Sequence, residues 1–109
     1  MKAINCTPHD ITLVADGASM KLVPSGINPR VDQIRTNVDT IIIDGVAFPV
    51  SRSVFGSVVG LPDPVDGTVY IVSMLVAQAA AGRTDLLAVD QTIRDDAGRI
   101  VGAKGFAVP

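Results

Sequence analysis

The sequence predicts a β-rich α+β fold: a curved antiparallel or mixed sheet, or partial barrel, carrying one substantial helix over residues 73–81. Three observations predict it. All 11 acidic residues are Asp, a turn and cap residue, and Glu, which favours helix interiors, is absent. Val, Ile and Thr gather in short runs, most of them bounded by Asp-Gly or by Pro and Gly, the pattern of strands joined by tight turns. One Ala-rich segment follows a capping serine and stops at a glycine.

Each element has its own signal. Met1 to Asn5 reads as a first strand, ended by the Thr7-Pro8 turn. Ile11 to Ala15 alternates as a second strand, and Asp16-Gly17 gives the hairpin signal before Ser19 to Val23. After Pro24-Ser25-Gly26, Pro29 to Ile34 alternates weakly and is expected to be exposed on one face. Asp39 to Ile43 is a β-branched strand, Asp44-Gly45 the clearest two-residue turn, and Val46 to Val50 its partner. Ser51 to Val59 continues extended, with Gly56 at a bulge or bend. Residues 60–67 form a Pro-rich connection that is neither helix nor central strand. Thr68 to Val72 is a strand, and Ser73 caps the helix that Gly82 stops, with Arg83 at its negative end. So few positions of that helix are polar that both of its faces are expected to be covered. Leu86 to Ile93, a turn at Asp95–Gly98 and Arg99 to Val108 close the fold.

Composition then excludes several functions. The 109 residues make a single domain, 1–109, able to bury a modest core. A net charge of −2 and the absence of a Lys/Arg run argue against a nucleic-acid polymer as partner. One Cys forms no intramolecular disulfide, and one His with one Cys falls short of a zinc site, so neither metal nor cofactor is expected. Asp63/Asp66 and Asp95-Asp96 lack calcium-loop spacing and serve turns. No leader pattern and no apolar run of about 18 residues is present, so no transmembrane span is expected and a cytoplasmic protein is the expectation. Hydrophobic residues reach 48 % and charged ones only 18 %, so part of the outer surface is expected to be covered in a homo-oligomer.

Several blocks carry a resemblance. Asn5-Cys6-Thr7-Pro8-His9 is similar to an Asn-x-Thr-Pro-His signature, and Pro24-Ser25-Gly26 with Arg30 to a short turn and following strand. Gly60-Leu61-Pro62-Asp63-Pro64 with Gly67-Thr68-Val69-Tyr70-Ile71-Val72-Ser73, and Arg94 to Gly102, complete the set in order. Together they resemble a family of small, mostly uncharacterised proteins of phages and prophage-bearing bacteria. Relatives often carry Cys where this chain has Ala103, so a role resting on that thiol is absent here. The resemblance implies a phage-associated protein. Such proteins include structural accessories and inhibitors of host defence, some of which sequester nucleotide signals.

The candidate residues divide between chemistry and turn-making. Cys6 and His9 are three apart, which in a strand points them to opposite faces, and no scaffold for a nucleophile accompanies them. Cys6 therefore reads as a small buried hydrophobe, and no enzyme is expected. His9 is either a ligand contact or a residue closing its own turn. Arg outnumbers Lys, six to three, and suits planar, two-pronged recognition of phosphate or carboxylate. Arg52, between two serines, is expected opposite Phe48 or in an interface, and Arg94 within reach of Asp95 or Asp96. The helix start after a strand lacks a glycine-rich phosphate loop, so capping accounts for Ser73. The expectation is a non-enzymatic phage-type binding protein holding a small anionic, nucleotide-like ligand through His9, Arg52 and Arg94. The competing expectation is a structural or host-protein-binding phage accessory, and the third is an enzyme of unknown type.

Overall fold

The computed structural model describes all residues, Met1–Pro109. Its elements are β1 (Lys2–Asn5), β2 (Ile11–Ala15), β3 (Ala18–Leu22), β4 (Arg30–Ile43), β5 (Val46–Val59), β6 (Thr68–Ile71), α1 (Met74–Ala79), β7 (Leu86–Arg94) and β8 (Ile100–Ala107). The expected fold class is present: a β-rich, nearly closed, curved mixed sheet with one short helix. No helix is long and apolar enough to cross a membrane.

Six strands form the sheet, in the order β1-β6-β7-β8-β2-β3. β1, β6 and β7 run parallel, β8 is antiparallel to β7, β2 is parallel to β8, and β3 returns antiparallel beside β2. β6, α1 and β7 thus make a βαβ crossover, which places the helix over the sheet. The gap between the outer strands is bridged at one end, where Asn5 Nδ2 donates to the Leu22 carbonyl at 3.1 Å. Beneath the helix lies the core of Cys6, Tyr70, Val72, Val76, Ala77 and Leu86.

The helix is shorter than expected and buries one face rather than two. Ser73 is its N-cap, accepting from the Val76 N–H at 3.3 Å. Val76 and Ala77 are buried, but Leu75 is exposed, so the apolar run does not imply complete cover. Arg83 turns away from the helix end. Its guanidinium makes a two-pronged bond to Asp85, both contacts 2.8 Å, and donates to the Pro62 carbonyl at 2.9 Å. Tyr70 donates its hydroxyl to the Asp63 carbonyl at 3.1 Å. These two side chains pin the Pro-rich connection across β6.

β4 and β5 stand apart as a two-stranded sheet, each strand 14 residues long. The two runs read separately at Pro29–Ile34 and Asp39–Ile43 are one strand. Asp44 (φ 51) and Gly45 (φ 79) close the ribbon with both central residues left-handed, the turn that matches strand twist. Register shifts fall between Val31 and Gln33, where Gly56 lies on the opposite strand as expected, and between Asn37 and Asp39. Val31 and Val58, paired at the base, pack against the core and anchor this arm.

β5 alternates without interruption from Val46 to Phe55, so its residues sort into two faces. One face carries Val46, Phe48, Val50 and Val54. Their side of β4 brings Ile43, Ile41 and Ile34 beside them, with Asp39, Thr36 and Arg52 as the polar members. The other face is polar along its middle, where Gln33 Nε2 donates to Ser53 Oγ at 2.8 Å, with Ile42, Ala47 and Pro49 near the tip and Phe55 near the base. Exposed apolar side chains such as Ile34 (69 %) and Phe48 (46 %) show that nothing in the chain covers the apolar face.

Candidate functional site

The site is built where β1 ends. Asn5 is 2 % exposed, and every polar group of its side chain is used. Its amide nitrogen donates to the His9 carbonyl at 2.7 Å as well as to Leu22. Its Oδ1 accepts from the Thr7 N–H at 3.0 Å and the Thr7 hydroxyl at 2.6 Å. Its backbone carbonyl accepts from the Ser25 N–H and hydroxyl, at 3.0 and 2.7 Å. Asn5 therefore braces its own turn and ties it to the chain after β3. Of His9, the backbone carbonyl takes part in this bracing and the imidazole does not.

The structure brings two of the three sequence-designated residues to one end of the six-stranded sheet. His9 borders a cavity of about 220 Å³ with Thr7, Asp10, Ile11, Val89 and Ile100 among its walls. Arg94 pairs with that same Ile100 across β7 and β8. Its guanidinium closes the turn by donating to the Gly98 carbonyl at 2.7 Å rather than to Asp95 or Asp96. Asp95 instead accepts from the Ala97 and Arg99 N–H groups and pairs with the Arg99 side chain. Arg52 lies elsewhere, paired with Thr36 on the arm, roughly 18 Å along the ribbon from its base at ~3.3 Å per residue. It shares a face with Phe48, four residues before it, because side chains alternate with a period of two.

A second concavity, of about 380 Å³, was not anticipated. The turn residues Cys6, Thr7 and Pro8 line it with Asn28, Pro29 and Arg30 at the entry to β4, and Ser73 after β6. It lies beyond the carboxyl ends of the parallel neighbours β1 and β6, whose last paired residues are Asn5 and Ile71. That is where parallel sheets commonly place ligands. Arg30 forms neither an ion pair nor a side-chain hydrogen bond, unlike Arg83 and Arg99. Thr7 and Asn28 add hydroxyl and amide groups to its surroundings. Cys6 is buried at this end, and burial pushes its thiol up, with a Ser25 hydrogen bond pulling the other way. Such a thiol packs rather than reacts. The arrangement offers one free cation among neutral polar groups.

In the sequence Arg30 stands only in the weakly alternating run from Pro29 to Ile34, after the Pro24-Ser25-Gly26 turn. What assembles the cleft is the pairing of β1 with β6, residues 2–5 with 68–71, which no local pattern announces. Comparison of the chain with protein-family models, with curated proteins and with solved structures gave no match.

Proposed function

We propose that this chain is a non-enzymatic binding protein of phage-associated origin that holds a small anionic, nucleotide-like ligand in the cleft beside the Asn5–His9 turn. The observation that carries this reading is the unpaired Arg30 in a cleft of about 380 Å³, a volume within the usual range for small-molecule sites. Cys6, the nucleophile that a catalytic reading would pair with His9, is packed in the core, and Asn5 beside it braces the turn. A role against host defence is the analogy that the resemblance offers.

The test is a thermal-shift screen of linear and cyclic nucleotides, followed by titration calorimetry. Arg30→Ala should weaken binding of the selected nucleotide by about 1.5–3 kcal/mol, and Arg30→Lys should restore little of it. Binding that survives Arg30→Ala but fails in His9→Ala and Arg94→Ala would move the ligand to the His9 cavity. No stabilisation by any nucleotide would sink the proposal. The second reading, a structural or host-protein-binding accessory, is favoured by the exposed apolar face of the β4–β5 arm.

A further inference from the structure

We infer that the apolar face of the β4–β5 arm is covered by the same face of a second copy of this chain. The two arms lie face to face about a twofold axis, with Arg52 of each opposite Asp39 of the other. This goes beyond the ligand cleft and does not depend on it.

Three observations select this occupant. The first is area. A two-stranded ribbon is at best marginally stable alone in water, and it needs a covered face. The exposed apolar stretch, residues 34–43 against 46–54, is about ten residues at ~3.3 Å each across two strands ~4.8 Å apart, a flat face of about 320 Å². Two such faces together give about 640 Å² before side-chain relief is added, the scale of a small contact that forms a weak dimer at micromolar concentration. A second arm therefore matches this patch in length and width.

The second is charge. Arg52 and Asp39 are the only ionised groups on the apolar face, and they stand on adjacent rungs of the ribbon. Neither is ion-paired within the chain, and Asp39 Oδ1 instead accepts from the Thr40 N–H at 2.7 Å. A twofold contact is self-complementary, so it places each arginine against the partner's aspartate twice over. The face is thus neutral and matched to itself.

The third concerns the edges. Thr40 and Pro49 are paired across the ribbon near its tip. Pro49 has no N–H, and that of Thr40 is taken by Asp39, so neither edge offers a free donor there. Strand addition along the edge is hindered, and packing through the face remains.

The experiment is analytical ultracentrifugation of the full chain from low to high micromolar concentration, with circular dichroism to confirm folding. Wild type should associate through dimers. Arg52→Asp and Asp39→Arg, each placing like charges opposite one another, should raise the dissociation constant at least tenfold. The double variant R52D/D39R should return it to within a few-fold of wild type. Phe48→Asp should give monomers, while Arg30→Ala should leave association unchanged. A wild type that stays monomeric at high micromolar concentration overturns the inference and leaves the arm to a different protein. Association unaffected by Phe48→Asp, or a double variant as weak as the singles, also overturns it.

Discussion

Asn5 carries more of this molecule than the rarer His9 beside it. Its buried amide satisfies two carbonyls and accepts twice from Thr7, so Asn5→Ala should cost about 3 kcal/mol by leaving buried partners unmet. His9→Ala should change stability by less than ~0.5 kcal/mol, because only its backbone holds the turn. Urea unfolding midpoints of the two variants check the contrast. The sequence made the turn visible and drew attention to its one histidine. It did not show that Asn5 is the buried residue, because that follows from Leu22 and Ser25, many residues later.

At the same scale, Arg83 holds the Asp85 carboxyl below the usual carboxylate range, chiefly through their two-pronged hydrogen bond. In the unfolded chain Asp85 titrates near pH 4. The stabilisation is therefore fully present above that pH and is lost as pH falls through the lower folded value. Asp85→Asn should make the acid limb of the stability profile shallower. At neutral pH it should cost about 1–3 kcal/mol, since side chains only 22 % and 15 % exposed are largely shielded from solvent and Arg83 would keep only the Pro62 carbonyl as a full partner. Thermal melts from pH 2 to 7 measure both effects.

Among the elements, the β2–β8 seam leaves no room for a side chain at Gly102. A Cβ on Gly102 would lie 2.6 Å from the Thr12 carbonyl oxygen, a backbone atom held by strand pairing. Gly102→Ala should therefore destabilise by about 1–3 kcal/mol, read from chemical denaturation, although alanine suits a strand no worse than glycine. Asp16-Gly17, Asp44-Gly45 and Asp95–Gly98 mark their turns legibly because each needs residues that tolerate left-handed or tight backbone. The full length of β4 was not legible. Gln33, Arg35 and Asn37 interrupt its apolar pattern, and they do so because they lie on the polar face of a ribbon that no core covers. The helix stands where the sequence predicts it but is shorter, since alanine favours helix in isolation whereas Ala80 already leaves helical geometry here.

At the scale of the whole molecule, the arm sets the shape. The extents are 59 × 37 × 22 Å and the radius of gyration is 18.0 Å, against about 13 Å expected of a compact chain this long. The apolar excess in the composition signalled a surface in need of cover. It did not say that this surface is one face of a projecting ribbon, because that depends on β4 and β5 pairing with each other and with no third strand. If a second copy covers the arm, amides of residues 39–50 should exchange hydrogen faster on dilution, whereas those of β6 should not. Hydrogen exchange followed by mass spectrometry at two protein concentrations tests this, and equal exchange at both would tell against it.

The strand order also fixes a sequence of events in time. Ile43 meets Val46 across a turn, but Lys2 must find Thr68, and Thr12 must find Gly102. A hairpin closes in about 1–10 μs, whereas folds dominated by distant pairings take milliseconds to seconds. During synthesis, β2 has no β8 to pair with until nearly the entire chain has emerged. Only the short β2–β3 hairpin and the arm are thus able to form before the rest of the sheet, so a nascent chain presents its apolar ribbon before it has a completed domain to carry it.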